Sequence, residues 1–426
     1  MSEQLYEVRD PIHGFVQLNE WEWDIINQPA FQRLRRIRQL ACTDMVYPGA
    51  MHTRFEHSLG VMHTATRMYN QIVKRSYDFL KSEMRLDVAG RERDKVLIRL
   101  AALLHDTGHS PFSHAGEGLM DINPESKKPY DHEDYSAAVV EHILKDVIEN
   151  HPQNESYRIK AEEISALLKG DPSLGRRMIL WRSHITSQFD ADRADYLLRD
   201  SYHIGTTYGN YDLNRLLVSM LIVVDPKTEI PTIGVDYGGF HAAEGLIAAR
   251  YMMFTQVYFH HSRRSFDKHI ERSIKHLLKT EQKKEEAYFL KPTKKDIKKY
   301  LEWDDWKVLG HIHAGNAGES GKLILNRKHD RCIYETNEVP TEDELSKIEE
   351  VYLKISSKVS FIDSAEKSWY KFDKTDLNVQ RKQSSTKIFP LSEISSIVRG
   401  LMPIKQKRIY VPFSKKVEAQ KIINSI

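Results

Sequence analysis

The stretch Lys95 to His105, KVLIRLAALLH, constrains the fold more than any other segment of the chain. It is nearly all apolar and of helical length, and a helix that is apolar on most sides must be surrounded by other elements. It closes on an adjacent imidazole and carboxylate, His105-Asp106, before Gly108 and Pro111 interrupt the helical pattern. A charged pair at the end of a buried helix is costly unless something neutralises it. Two partners would serve: an opposite charge from another segment, or a cation. An imidazole beside a carboxylate suits Mn, Fe, Zn, Ni or Mg. Another His and another Asp are needed to complete such a site, and His57 and Asp192 are available on other expected helices.

Polar, chemically capable residues concentrate in four segments: His52 to Leu59 (HTRFEHSL), His105 to His114 (HDTGHSPFSH), Asp131-His132-Glu133, and Asp190 to Asp200 (DADRADYLLRD). Apolar periodicity predicts helices over 16–40, 54–82, 95–105, 134–150, 160–169, 173–200 and 241–279. After about residue 320, KLILN, CIYE, VYLKI, KVSFI, SWYKF and RIYVPF read as short strands, among helices at 341–349, 391–400 and 414–425. The expected fold class is mainly α. A helical bundle fills 1–290, with its core at about 50–205, and a smaller α+β region, a candidate for regulation or oligomer contacts, fills 291–426.

Composition narrows the function. Of 426 residues, 40% are apolar and 29% charged, which supports a packed core and not a disordered chain. The balance of 63 basic to 60 acidic residues rules out a polycation. Any affinity for single-stranded nucleic acid would rest on a local patch such as 401–426, with six Lys and Arg against one acidic residue. Cys42 and Cys332 give no disulfide framework and no CxxC spacing, which suggests a reducing compartment. The start MSEQLYEVRD has no apolar signal region, and the most apolar stretch, Leu216 to Val224, is too short to span a bilayer. A cytoplasmic protein without a membrane partner is the expectation.

The words DPIHGF, FQRLRRIRQL, RFEHSLGV, LLHDTGHSPFSH and RYMMFTQVYFHH resemble the HD-domain phosphohydrolase superfamily, and within it the family of sterile-alpha-motif/HD-domain dNTP triphosphohydrolases and their bacterial relatives. The resemblance runs from about residue 8 to 265. It implies that His57, His105, Asp106 and Asp192 hold a divalent metal, and that His109, His114 and His132 face the triphosphate with Glu117 orienting His114. Arg54, Arg193 and Arg250 would grip phosphate. Gln39, Leu40, Tyr196, Asp200 and Tyr258 would contact the sugar, with Leu40 and Tyr196 crowding its 2′ position. Phe254 and Phe259 depart from the family's His and Gln, which leaves base preference open.

The implied reaction converts a dNTP and water to a deoxynucleoside and triphosphate, with His114 as proton donor. The resemblance also implies a homo-oligomer, dimer or tetramer, and a second nucleotide site at Asp10, Asn27, Gln32 and Arg35. There Asn27 replaces a guanine-reading Asp, so any activating nucleotide need not be a guanine one. Two alternatives stay open: an HD-type phosphatase or phosphodiesterase on nucleoside monophosphates, signalling nucleotides or nucleic acid, and a non-catalytic nucleotide sensor. His63, His142, His151, His184, His269, His276, His311, His313 and His329 are read as structural or exposed, while His260 and His261 stand at the pocket border or outside it.

Overall fold

The computed structural model describes residues 5–226, 228–367, 376–382 and 386–425. The chain opens with a hairpin, β1 (Tyr6–Asp10) and β2 (Gly14–Leu18), paired antiparallel with Tyr6 opposite Leu18. Its turn is closed by Asp10 Oδ1, which accepts the N–H groups of Ile12 and His13 at 2.9 and 2.8 Å. The helix predicted over 16–40 is therefore shorter and broken. Residues 16–18 are strand, α1 covers Glu20–Ile26, and Pro29 starts a separate turn that tightens to a 3-10 helix at Arg33–Arg36. Proline lacks the N–H that a continuing helix needs.

The bundle follows. Thr53 and Glu56 form a capping box that starts α2 (Arg54–Arg75), with α3 (Val88–Leu104) packed against it. Leu97 to Leu104 are all buried except Arg99, as the apolar composition requires. Then come α4 (His132–His142), α5 (Ala161–Lys169) and α6 (Ala191–Ile204). The 173–200 pattern is two helices, because Arg176–Arg182 ends before a loop that leads to Asp190, the N-cap of α6. Asp190 accepts the Arg193 N–H at 2.7 Å, which fixes where α6 begins and thus where Asp192 stands.

Strands β3 (Met220–Val224) and β4 (Pro231–Asp236) follow, then α7 (Phe240–Met253) and α8 (His261–Gln282). A π-helical turn at Phe254–Tyr258 separates the two helices, so the 241–279 pattern is not one rod. Beyond it are α9 (Gly318–Leu325), β5 (Arg331–Glu335), α10 (Glu342–Ile355), β6 (Phe361–Lys367), β7 (Asn378–Lys382), β8 (Thr386–Pro390), β9 (Ile404–Val411) and α11 (Lys416–Ile423). The sheets run β3-β4-β7-β8 and β5-β9-β6.

CIYE, the first four residues of RIYVPF and the end of KVSFI are strands, but KLILN closes α9 and VYLKI closes α10. Short apolar runs are ambiguous between strand and helix, and the Thr341–Glu344 capping box decides for helix in the second case. SWYKF lies outside the described residues. The fold is mainly α, with small sheets. Among the described residues no helix is long and apolar enough to cross a membrane.

Candidate active site

His57 lies one turn into α2, His105 and Asp106 follow the last residue of α3, and Asp192 is the second residue of α6. Packing of α2 against α3 and α6 brings the four together. His57 Nε2 lies 3.0 Å from Asp192 Oδ1 and 3.7 Å from Asp106 Oδ2. His105 Nε2 lies 3.2 Å from Asp106 Oδ1 and 3.9 Å from Asp192 Oδ1. Bonds of roughly 2.0–2.2 Å to one ion place adjacent donors about 3 Å apart in six-coordination and about 3.3–3.6 Å apart in four-coordination, and the present spacings of 3.0 to 3.9 Å lie around that range.

Tautomers support the same reading. His105 Nδ1 donates to the Ala102 carbonyl at 2.8 Å, and His57 Nδ1 donates to Asp195 Oδ2 at 2.8 Å. Both rings then present Nε2 lone pairs to carboxylates, and His105 Nε2 is buried without a hydrogen-bond partner. An inward ring of acceptors is repulsive unless a positive charge occupies it. Without an ion, burial disfavours a charged His57 ring, yet hydrogen bonds to Asp192 and Asp195 outweigh burial and carry it up to about 10, so a proton on Nε2 stands where a cation would supply the positive charge. The donor set therefore fits a divalent cation.

Behind His57 stands a carboxylate that the sequence reading left without a role. Asp195 is fully buried and accepts from His57, from His13 Nε2 at 2.6 Å, and from Arg199 at 2.8 and 2.9 Å. Arg199 also donates to Asp10 at 2.7 Å, so the N-terminal hairpin buttresses His57 through Asp195. The approach of α6 to α2 depends on Gly60. A Cβ there would stand 2.0 Å from Asp195 Oδ1 and 2.3 Å from Arg199 Nη2. The available signal was helical spacing, since Asp195 and Arg199 follow Asp192 and Asp195 by three and four residues.

Arg54 stands at the start of α2, beside the cluster. Its guanidinium donates to Asp106 and to Ser113 Oγ, the latter at 2.7 Å. Phe112 and Ser113 both adopt left-handed backbone conformations, with φ of 57° and 53°. Such residues cost roughly 1–3 kcal/mol each and persist only where surroundings hold them. Here Asp305 accepts the Phe112 N–H at 2.7 Å and the Arg38 N–H at 2.9 Å, while Ser113 Oγ donates to the Arg38 carbonyl at 2.6 Å. Ser113 and Asp305 are thus supports of Arg54 that the sequence reading did not single out.

His109, His114, His132 and Glu117 form an adjoining cluster. Glu117 accepts from His114 Nδ1 at 2.8 Å and His132 Nδ1 at 2.7 Å, and the His109 and His132 rings stack 3.9 Å apart. Burial would raise the Glu117 carboxyl, but His114 and His132 hold it well below the usual range. Burial works against a charged His132, and the Glu117 hydrogen bond overrides it, lifting His132 to about 9. Burial, with Arg54 and His132 nearby, pushes His109 down and keeps it neutral.

A cavity of about 560 Å³ is lined by His114 of this cluster and Asp192 of the first. Its walls include Gln39, Leu40, Arg54, His114, Asp192, Arg193, Tyr196, Asp200, Arg250, Phe254, Tyr258 and Phe259. Asp200 accepts from Tyr258 OH at 2.6 Å and from His52 Nε2 at 2.8 Å, so His52 is a further support the sequence reading passed over. Burial pushes the Tyr196 phenol up to about 12 and keeps it neutral.

Asn27, Gln32 and Arg35 are not in this cavity. Asn27 ends α1, Arg35 donates to Gln32 at 2.9 Å, and its guanidinium stacks 3.5 Å over Phe55. Asp10 is buried against Arg199. His260 and His261 stack on one another outside the cavity walls.

A buried His/Asp cluster on a helical bundle, beside a cavity walled in part by Arg54, Arg193 and Arg250, has the make-up of a metal centre. Residues 54–198 match the HD domain model and 211–422 match the HD associated region model. The chain belongs to the HD-domain family.

It is 37% identical over 264 residues to the Bacillus subtilis protein YwfO, covering 60% of this chain and 52% of that one. It is 31% identical over 262 residues to the human deoxynucleoside triphosphate triphosphohydrolase SAMHD1, covering 56% of this chain and 40% of that one. The chain thus spans about half or less of the length of these relatives. Among solved structures, a hypothetical protein from Aquifex aeolicus superposes with a TM-score of 0.78 at 29% identity, covering 99% of this chain and 100% of that one. A phosphohydrolase from Bacteroides thetaiotaomicron shares the fold, with a TM-score of 0.72 at 22% identity over 96% of this chain and 100% of that one.

Proposed function

We propose that the protein is a metal-dependent deoxynucleoside triphosphate triphosphohydrolase. The observation that carries the reading is the cavity itself. Asp192 of the His57, His105, Asp106 and Asp192 cluster lines it with Arg54, Arg193 and Arg250, and Leu40, Tyr196 and Tyr258 line it too. The three arginines suit a polyphosphate, and the aromatic and aliphatic side chains suit a sugar without a 2′-hydroxyl. His57, His105, Asp106 and Asp192 would hold the divalent ion, whether Mn, Mg, Fe, Ni or Zn. A bound cation supplies charge neutralisation and activation of water at neutral pH.

The chain's own groups do the rest. Arg54, fixed by Ser113, and Arg193 and Arg250 orient the phosphates. His109 and His132 position the α-phosphate. His114 gives a proton to the departing 5′-oxygen as the phosphorus–oxygen bond breaks and the oxygen of water joins phosphorus; Glu117 orients that imidazole. Asp200 and Gln39 face the 3′-hydroxyl. An activating nucleotide near Asn27, Gln32 and Arg35, and a dimer or tetramer, belong to the same reading by family resemblance.

The test is to incubate Mn²⁺-loaded protein with each dNTP and measure inorganic triphosphate. Release of monophosphate and pyrophosphate would refute the leaving group. Preference for ribonucleotides or oligonucleotides would move the assignment to an HD phosphodiesterase, and binding without turnover to a sensor.

A further inference from the structure

His109, His114, Glu117 and His132 share no ligand with the first cluster, yet they have the composition of a metal site in their own right. Each presents one ligand atom, and all four atoms lie within 4.8 Å of one another. Glu117 Oε1 is 2.7 Å from His132 Nδ1 and 3.8 Å from His109 Nδ1, and Oε2 is 2.8 Å from His114 Nδ1. A four-coordinate ion with bonds of roughly 2.0–2.2 Å needs donors about 3.3–3.6 Å apart, so the present spacings bracket that arrangement.

The independent observation is His109 Nδ1. The ring is 1% exposed, its Nε2 faces Asp106 Oδ1 at 3.3 Å, and its Nδ1 is buried with no hydrogen-bond partner. With the proton on Nε2 facing Asp106, the Nδ1 lone pair points toward the Glu117 carboxylate. Two acceptors facing each other beside a buried ring call for a positive charge between them.

The geometry points to a second, weaker cation site formed by His109, His114, His132 and Glu117, selective for borderline transition-metal ions such as Zn²⁺, whose filling removes the proton donor and stops hydrolysis. Three imidazoles and one carboxylate favour Zn²⁺ or Ni²⁺ over Mg²⁺, which prefers oxygen. The site is weaker than the first for two reasons visible in the structure. The His114 side chain is 63% exposed and must be ordered, and two hydrogen bonds to Glu117 must be given up. Zn²⁺ on His114 Nδ1 leaves that ring unable to deliver a proton to the substrate. This inhibitory consequence rests on the proposed role of His114; the ion site does not.

The experiment counts ions on full-length protein without nucleotide. Chelator-stripped protein is dialysed against graded Zn²⁺, and bound zinc is measured per chain for the wild type, Glu117→Gln and His132→Gln. The wild type is expected to bind two ions, the second more weakly. Each variant is expected to lose the second while holding the first within about threefold. Co²⁺ spectra should likewise show a second set of visible bands that the variants lack. One ion per chain in the wild type, or a second ion retained with unchanged affinity in both folded variants, overturns the site.

Triphosphate release is then followed with Mg²⁺ fixed and Zn²⁺ rising, and should fall at least about tenfold as the second ion binds. Two ions with no dNTP turnover would sink the proposed function and leave the site standing. One ion with full turnover would do the reverse.

Discussion

Asp195→Asn tests whether the carboxylate behind His57 governs the metal site. In the native protein both oxygens are doubly used: Oδ2 takes the His57 and Arg199 Nε donors, and Oδ1 takes His13 and Arg199 Nη2. An amide keeps one acceptor and turns a second donor toward two existing donors. Removing one member of a buried ion pair costs about 3–5 kcal/mol. Arg199 retains Asp10 at 2.7 Å, so the loss here should fall toward about 2–3 kcal/mol.

Metal affinity should fall more specifically. Carboxylates that hold a ligating imidazole are worth about 10–100-fold in affinity, or roughly 1.4–2.7 kcal/mol. Urea denaturation of the metal-free protein gives the first quantity, and equilibrium dialysis with Mn²⁺ gives the second. A folded variant with Mn²⁺ affinity within about twofold of the wild type would refute the orienting role. Should the variant fail to fold, His13→Gln offers a milder probe. It removes one partner of Asp195 and is expected to lower affinity by less than about tenfold.

Gly60→Ala places a Cβ 2.0 Å from Asp195 Oδ1, so α2 and α6 must separate; despite alanine's better helix propensity, urea denaturation should show a net loss of about 2 kcal/mol. His184 is buried, with Nδ1 on the Trp181 carbonyl at 3.1 Å, and burial pushes it down to about 4. The unfolded chain takes up this proton below its ordinary value of 6.5 and the folded protein does not, so stability falls as pH drops from about 6.5 toward 4. Between pH 7 and pH 5 the wild type should lose about 2 kcal/mol more than His184→Leu, and parallel curves would exclude His184 as the cause. Tyr196→Ala opens the wall at the proposed sugar site, and should raise ribonucleotide over deoxynucleotide hydrolysis at least about tenfold as read by triphosphate release.

Particular elements show where sequence reading succeeds and fails. The stripe Leu59, Met62, Ala65, Met68 and Ile72 predicts α2, and all five are buried. The same periodicity over 16–40 misleads, because Trp21, Ile25, Phe31 and Leu34 are core residues of three separate elements broken at Pro29. KLILN and VYLKI look like strands as isolated words, yet each is the end of a helix set by residues further upstream.

The sequence by itself determined the mainly helical class, because apolar spacing and composition leave few ways to bury such a helix as α3. It also supplied the residue types of the cluster, since His and Asp at the close of an apolar helix have few inexpensive explanations. Only the tertiary structure decided that Asp195, His13, Arg199 and Asp10 stand in line behind His57, and that Ser113 and Asp305 hold Arg54. The hydrogen-bonded pairs in these supports lie up to 267 residues apart. Local propensity carries no information about such distances; they are set by which helix faces pack, and by a glycine small enough to let two helices close on a buried charge.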